Sequence, residues 1–146
     1  MYSITETNDY TGLAEMFLRN GLEISPEEWP PEGMIKCWEV IDDDTSERIA
    51  GVELEKKSGE YVVGGISVEA PYRRQDLATL MMRKLIDEVK LSGGNRIMLV
   101  ARVPDFFKSL GFVCIDRRTA PNISNCMTCR QFDIECFPEV TLLDME

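Results

Sequence analysis

The sequence predicts a mixed α/β fold: a central, mostly antiparallel sheet with one parallel pair of strands, flanked by helices. Three apolar strand patterns separated by short turns, between residues 34 and 68, predict antiparallel neighbours. A long amphipathic helix pattern then leads to another strand pattern, and such a helical crossover joins parallel strands. The 146 residues are enough for one buried core, so we predict a single domain over residues 1–146.

The first part of the chain contains one strand pattern and two helix patterns. Residues 2–5 predict an opening strand. A helix begins at Asn8 or Asp9 and ends at Asn20–Gly21, because apolar residues recur on one face and glycine then stops it. A serine followed by prolines predicts at most two helical turns within Ser25–Gly33.

The rest of the chain alternates between strands and helices. The strongest helix pattern runs from Gln75 to Lys90, with one apolar stripe and Ser92–Gly94 after it. The other predicted elements are strands at Met34–Ile41, Arg48–Glu55, Tyr61–Val68, Ile97–Ala101, Phe112–Asp116 and Val140–Leu143, and a short helix at Pro104–Leu110.

Composition and charge exclude several classes of function. The net charge is −10 and the pI is near 4.6, so we expect no nucleic-acid partner held through phosphate contacts. The acidic excess lies in the first 70 residues, where a cationic ligand is favoured. No apolar run is long enough to span a membrane and the start lacks a signal-peptide pattern, so we expect a cytoplasmic protein without a membrane partner. The chain has no histidine, which excludes imidazole as a base or metal ligand.

The segment GGISVEAPYRRQDLATLMMRKLIDEV, residues 64–89, has the features of a phosphate-binding unit. A strand runs into a loop and then a helix, whose first turn presents amide groups without intrahelical partners. Arg73 and Arg74 add cationic donors beside that helix start. On this pattern alone, an ordinary connection with solvated arginines fits as well.

The same segment resembles the phosphate loop of the Gcn5-related N-acetyltransferases, which reads Arg/Gln-x-x-Gly-x-Gly/Ala after a strand. Arg73 matches the first position and Ala78 the last. PDFFKSLGF, residues 104–112, resembles the second family signature, an aromatic-bearing helix that ends in Leu-Gly-Phe. The resemblance covers residues 34–118 and implies a sheet whose parallel strands splay apart to admit acetyl-CoA.

The resemblance also implies which residues bind acetyl-CoA. The strand before the loop would pair with the pantetheine arm through its backbone, and the loop and helix start would hold the pyrophosphate. An aromatic side chain of the second signature would pack on the pantetheine. The predicted binding residues are Ile66, Ser67, Val68, Arg73, Arg74, Gln75, Asp76, Leu77, Ala78, Thr79 and Phe107.

Two positions depart from the family pattern. Asp76 replaces the middle glycine of the loop, and its carboxylate would repel a phosphate by about 3 kcal/mol at about 5 Å and an effective dielectric of about 20. Capping its own helix, or pairing with Arg73 or Arg74, would offset part of that repulsion. Phe107 stands where many members have a tyrosine that protonates the departing thiolate, which leaves solvent or Cys114 as the proton donor.

A base or a water path must take a proton from the acceptor ammonium before the amine can attack a thioester. In some relatives this base is a glutamate on the strand before the phosphate loop. Glu60 is the nearest glutamate of matching strand parity and is our predicted catalytic residue, with Glu53 on the neighbouring strand as the alternative. Both also fit the plain interpretation of a surface glutamate in a hairpin.

Five cysteines raise the question of a metal or redox site. Cys126, Cys129 and Cys136 have the spacing of a partial zinc site, for which Cys114, Cys37 or Asp133 is available as a fourth ligand, and the CxxC pair also fits a redox role. We favour reduced thiols packed as small apolar groups and therefore predict no metal. This loop loosely resembles the cysteine-bearing tail of a branch related to short N-acetylglutamate synthases, which implies an amino-acid substrate.

The predicted function is transfer of acetyl from acetyl-CoA to the primary amine of a small molecule, by direct attack on the thioester. The acidic half favours a polyamine or aminoglycoside acceptor, whereas an amino acid would need Arg102, Arg117 or Arg118 for its carboxylate. Asp76 and Phe107 motivate a rival prediction, a non-catalytic module of the same fold that binds CoA or a partner protein. The sequence leaves the acceptor open, and also whether the chain forms a homodimer.

Overall fold

The computed structural model describes residues 1–20, 33–73, 75–101, 105–115 and 139–145. The helices in these ranges are α1 (Tyr10–Arg19), α2 (Leu77–Leu91) and α3 (Asp105–Ser109), and a 3₁₀ turn spans Ala70–Tyr72. The strands are β1 (Tyr2–Thr7), β2 (Met34–Asp42), β3 (Glu47–Lys57), β4 (Glu60–Val68), β5 (Arg96–Ala101), β6 (Val113–Cys114) and β7 (Glu139–Asp144).

The described strands form one seven-stranded sheet in the order β1-β2-β3-β4-β5-β7-β6. Short connections make β2, β3 and β4 an antiparallel meander, and α2 carries the chain across to β5, which lies parallel to β4. The other neighbouring pairs of the described sheet are antiparallel. The predicted mixed α/β fold, with one parallel pair in a mostly antiparallel sheet, is confirmed.

Local chemistry explains where the two longer helices begin. The Asp9 side chain caps α1 by accepting a hydrogen bond from the Gly12 N–H at 3.1 Å. We predicted that the long helix begins at Gln75, but α2 begins at Leu77, because Asp76 before it is in the left-handed conformation (φ 59°, ψ 19°). β6 is also shorter than its predicted range. The helical turns predicted after Ser25 and the cysteine-bearing loop lie outside the described residues.

Helices cover both faces of the sheet. α2 packs its buried stripe on one face, against a cluster that includes Trp38 and Phe112. α1 packs on the other face and is brought close to the sheet by glycines of β3 and β4. A Cβ at Gly65 would lie 2.7 Å from a ring atom of Phe17, so only glycine allows this approach. None of the described helices is long and apolar enough to cross a membrane.

Candidate functional site

The most distinctive feature of the sheet is the separation of β4 from β5. Both strands are described over their full length, and they pair at two positions only: Tyr61 pairs with Ile97 and Val62 with Met98. β4 nevertheless continues to Val68. On its other edge, β4 pairs with β3 as far as Val68. Past Val62, backbone groups on the β5-facing edge of β4 therefore have no strand partner in this part of the sheet. The splay that the family resemblance implies therefore begins after Val62 and Met98.

The residues predicted to contact pantetheine lie along this separated part of β4. Ile66 and Val68 are half-buried and pack against the cluster beneath α2. Ser67 is buried, and its Oγ has no hydrogen-bond partner among the described residues. A buried hydroxyl without a partner is uncommon in folded proteins and marks a place where a further polar group fits.

The loop after β4 leads into the N-terminus of α2. Leu77 is buried in the core, so its side chain cannot contact a ligand, but its backbone N–H lies in the first turn with those of Ala78 and Thr79. Gln75 is exposed, and its side-chain oxygen accepts a hydrogen bond from the Tyr2 hydroxyl. Three amides at a helix start, with the positive end of the helix dipole, suit a pyrophosphate.

Arg73 is held by two hydrogen bonds within the protein. Its Nε donates to the Val68 carbonyl at 3.0 Å, and one terminal nitrogen donates to Asn20 Oδ1 at 2.8 Å. The Asn20 amide in turn donates to Glu69 Oε1 at 2.7 Å. A guanidinium has five N–H donors, so Arg73 keeps donors for a phosphate while these bonds fix its position.

The arrangements that we expected to offset the Asp76 charge are not present in the described residues. The Asp76 side chain makes no capping hydrogen bond to α2, and Arg73 bonds Val68 and Asn20 instead. Arg74 lies outside the described residues. Asp76 is exposed, and its positive φ shows why the phosphate loop carries glycine at this position, since aspartate is one of the few other residues that tolerate it.

Phe107 belongs to an aromatic cluster on and after α3. Its ring meets Phe106 at 5.1 Å and Phe112 at 6.0 Å between centroids, both edge to face. Phe112 is buried, whereas Phe107 is only partly buried. The cluster therefore fixes the Phe107 ring but leaves part of it accessible to a ligand.

Glu60 lies at the opposite end of β4 from the phosphate loop. Val68 is eight positions further along the strand, a span of about 26 Å. Arg96 donates to both of its carboxylate oxygens, at 2.8 Å to Oε1 and closer to Oε2. This pair lines a cavity of about 380 Å³ with Tyr61 and Asp144. Its position and its ion pair do not favour Glu60 as the base.

Glu53, the alternative, lies in the middle of the sheet. It is 2% exposed, opposite Cys37 on one side and Gly65 on the other, and its Oε2 has no partner among the described residues. Burial, the charge of nearby Glu55 and a hydrogen bond with Glu55 together raise the pKa of Glu53 to about 10.

A β-bulge brings the backbone of β4 to this carboxylate. Glu53 pairs with Gly65 and Leu54 with Val63, which leaves Gly64 as the extra residue of β4. A Cβ at Gly64 would lie 2.5 Å from Glu53 Oε2 and 2.9 Å from the Glu55 carboxyl carbon. Bulges often re-aim side chains next to active sites. Counting strand positions from sequence missed this contact, because the alternation of faces is broken at the bulge.

The cysteines that the structure describes do not form a metal site. Cys37 is buried, and burial with the nearby charges of Glu53 and Glu55 raises the pKa of its thiol to about 12, while Cys114 is exposed. Within the described ranges, no group of three or more Cys, Asp or Glu residues could hold a metal ion. Cys126, Cys129 and Cys136 lie outside these ranges, as do Arg102, Arg117 and Arg118.

Comparisons with known proteins agree with this geometry. A sequence model of the acetyltransferase (GNAT) family matches residues 9–112. No curated protein sequence matches at a significant level.

Solved structures share the fold at low sequence identity. The ribosomal-protein-S18-alanine N-acetyltransferase from Escherichia coli superposes with a TM-score of 0.74 at 19% identity, over 100% of this chain and 95% of that one. A GNAT family acetyltransferase from Elizabethkingia anophelis, with acetyl-CoA bound, gives 0.71 at 14% identity over 98% and 97%. N-acetylglutamate synthase from Neisseria gonorrhoeae gives 0.75 at 13% identity, over 100% of this chain but 35% of that one. The last likeness is one of fold and does not bear on the cysteine-bearing loop.

Proposed function

The chain belongs to the acetyltransferase (GNAT) family, and we propose on that premise that it transfers an acetyl group from acetyl-CoA to the primary amine of a small molecule. The observation that carries the proposal is the separation of β4 from β5 beyond Val62 and Met98, just before the loop into α2. An extended arm can hydrogen-bond to a strand edge that no other strand occupies.

The residues along this opening suit the three parts of acetyl-CoA. The backbone of Ile66–Val68 can pair with the amides of the pantetheine arm. Arg73 and the first-turn amides of α2, from Leu77 to Thr79, can hold the pyrophosphate. The accessible side of the Phe107 ring offers apolar contact for the arm.

We assign the proton-accepting role to Glu53 rather than to Glu60. Glu60 is engaged by Arg96 at the far end of β4, whereas Glu53 lies beside the bulge near the start of the splay. Glu53 carries a proton at neutral pH, because its pKa is raised to about 10, and an ammonium that binds beside it displaces this proton to solvent. The resulting carboxylate then accepts a proton from the ammonium at little cost, because the two pKa values are similar.

Acetyl-CoA supplies the activated acyl group. The amine nitrogen, once Glu53 holds its first proton, forms a bond to the thioester carbonyl carbon. The carbon–sulfur bond breaks to release the thiolate of coenzyme A, and the new amide nitrogen gives its second proton to solvent. Phe107 has no hydroxyl, so the proton for that thiolate comes from solvent or from Cys114, which is exposed on β6.

Calorimetric titration with acetyl-CoA, followed by thiol-release assays with a panel of primary amines, tests the proposal. We expect a saturable acetyl-CoA isotherm and amine-dependent thiol release. The absence of heat up to millimolar acetyl-CoA would refute it. Binding without thiol release from any amine would instead support a non-catalytic CoA-binding module, which the Asp76 carboxylate in the loop favours, since it does not cap α2.

A further inference from the structure

The loop between β4 and α2 is tied to the first two strands by its side chains. The Tyr72 hydroxyl donates a hydrogen bond to Asp42 Oδ2, at the end of β2, at 3.2 Å. Three residues further on, Gln75 Oε1 accepts a hydrogen bond from the Tyr2 hydroxyl of β1. In the sequence these two bonds flank Arg73, and they hold the loop from the side of the sheet that is remote from β5.

Tyr2 is itself fixed by the sheet and by a ring contact. It pairs with Asp42 in the register of β1 with β2. Its ring lies edge to face with that of Tyr72, with 6.3 Å between the centroids, and both rings pack against the cluster beneath α2. The Tyr2 hydroxyl is therefore held at the loop by contacts that do not involve Gln75. Tyr2 also lies outside residues 9–112, which the family model matches, so the family resemblance does not account for this contact.

The hydrogen bond from Tyr2 decides which end of the Gln75 amide is left for a ligand. A side-chain amide has one accepting oxygen and one nitrogen with two N–H donors. With Oε1 bonded to Tyr2, the donors on Nε2 are the groups that Gln75 can offer to a further partner. The ionised oxygens of a pyrophosphate only accept hydrogen bonds, so they attract the amide nitrogen and repel the amide oxygen.

Gln75 lies where we expect the pyrophosphate of coenzyme A. It is exposed, and it comes two residues before Leu77, whose N–H is the first of the amides at the start of α2. Arg73, two residues before Gln75, keeps donors for a phosphate. Gln75 is therefore located between two groups to which we assign the pyrophosphate.

We propose, on the basis of the proposed function, that Gln75 Nε2 donates a hydrogen bond to the pyrophosphate of coenzyme A and that Tyr2 is the positioning residue for this amide. Tyr2 itself contacts no ligand. It turns the amide nitrogen towards the phosphate and removes rotational freedom that Gln75 would otherwise lose when the ligand binds. Ordering one flexible side chain lowers affinity by about three- to tenfold, so loss of the Tyr2 hydroxyl should weaken binding by a factor in this range.

Calorimetry with coenzyme A and single variants tests both roles. Gln75→Ala should weaken binding about tenfold, because a hydrogen bond to a charged group is lost. Gln75→Glu should weaken it further, since a carboxylate still accepts from Tyr2 but offers no N–H to the phosphate. If Gln75→Glu binds coenzyme A as tightly as the wild type, the amide does not face the phosphate and the inference is wrong.

Tyr2→Phe keeps the ring and removes only the hydroxyl, and it should weaken coenzyme A about three- to tenfold. The matched control is Ser3→Ala, which removes a hydroxyl hydrogen bond of the next residue of β1, to Asp43, and should leave the Kd unchanged. If Ser3→Ala weakens binding as much as Tyr2→Phe, a general loosening of β1 is responsible and the positioning role is refuted. Thermal unfolding of the variants confirms that they fold.

A double variant shows whether Tyr2 acts through Gln75. If it does, adding Tyr2→Phe to Gln75→Ala should leave the Kd at the value of Gln75→Ala alone. If the two losses multiply, Tyr2 acts independently of Gln75, and the positioning role is refuted.

Two shortened forms of the ligand locate the effect. Dephospho-coenzyme A keeps the pyrophosphate and lacks the ribose phosphate, so Tyr2→Phe should weaken it by the same factor as coenzyme A. S-acetylpantetheine has no phosphate, so its kcat/KM in the thiol-release assay should be equal for Tyr2→Phe and the wild type. An unchanged Kd of dephospho-coenzyme A in Tyr2→Phe, or a loss of kcat/KM with S-acetylpantetheine as large as that with acetyl-CoA, would overturn the inference.

The binding measurements keep this inference apart from the proposed function. Coenzyme A binding with the losses given above supports the inference even if no amine is acetylated. Acetyl transfer with an unchanged Kd in Tyr2→Phe and Gln75→Ala refutes the inference and leaves the proposed function standing. No binding of coenzyme A up to millimolar concentration refutes both.

Discussion

Replacing Asp76 with glycine should tighten acetyl-CoA binding without large effects on stability. Asp76 occupies a left-handed conformation at φ 59° and makes no capping hydrogen bond. Glycine relieves a conformational cost of about 1 kcal/mol there, but it loses about as much through the greater freedom of the unfolded chain. We therefore expect the free energy of unfolding to change by less than about 1 kcal/mol.

The electrostatic part of this prediction sets its size. A carboxylate about 5 Å from one phosphate charge costs about 3 kcal/mol at an effective dielectric of 20 and about 0.8 kcal/mol in bulk water. Asp76 is exposed, so the true value lies between these limits, and the Kd of acetyl-CoA should fall by about 4-fold to 100-fold.

Asp76→Asn is the matched control, because asparagine also tolerates a left-handed backbone but has no charge. Calorimetry with acetyl-CoA at about 0.05 M and about 0.5 M salt should show both variants tightening binding, more at low salt. If only the glycine variant tightens it, backbone freedom and not charge is responsible. If the Kd stays within twofold for both, Asp76 does not face the phosphates and the reasoning is refuted.

Three further predictions concern the rest of the site. Folded Glu53 keeps its proton up to about pH 10, whereas the unfolded carboxyl loses it near pH 4.5, so the wild type should lose stability as pH rises between these values. Thermal unfolding at about pH 5, 7 and 9 should show a smaller loss for Glu53→Gln. Parallel curves for the two proteins would contradict the raised pKa. Asn20→Ala removes the hydrogen-bond partner of Arg73 and Glu69, which should cost about 1–2 kcal/mol of stability and lower the affinity for acetyl-CoA several-fold. The control Ser3→Ala removes a distant hydrogen bond to Asp43 and should leave that affinity unchanged. Mass spectrometry after brief alkylation at about pH 8 should find Cys114 modified and Cys37 unmodified until the chain unfolds. The reason is that burial raises the pKa of the Cys37 thiol to about 12. Rapid modification of Cys37 would show that its thiol is not shielded.

The sequence was sufficient for the order and type of the described elements. The turn residues and the apolar stripe between Gln75 and Lys90 are local signals, and they predicted the meander, α2 and the parallel strand beyond it. The likeness of residues 64–89 to a phosphate loop likewise depends on adjacent residues. Such local features can be recognised without knowing the register between neighbouring strands.

The contact between β4 and the Glu53 carboxylate could not be predicted, because it depends on register. Glu60 was chosen by counting alternate positions along a regular strand, but β4 contains an extra residue at Gly64. That bulge changes which backbone atoms contact Glu53, and two consecutive glycines do not by themselves predict a bulge. The left-handed backbone conformation of Asp76 could not be predicted either, because aspartate adopts it only where the loop on both sides imposes it.

The hydrogen bonds from Arg73 to Asn20 and from Asn20 to Glu69 join the end of α1 to the phosphate loop. Arg19, the last residue of α1, adds a second link to Glu69 at 3.1 Å. Because α1 packs on the face that carries Glu53, a ligand that fixes Arg73 also steadies the helix on the acceptor side. Thermodynamic linkage makes this effect reciprocal. If bound coenzyme A raises the affinity for the amine by some factor, the bound amine raises the affinity for coenzyme A by the same factor. The two substrates should therefore bind with positive cooperativity, and that cooperativity should vanish when Asn20 is lost.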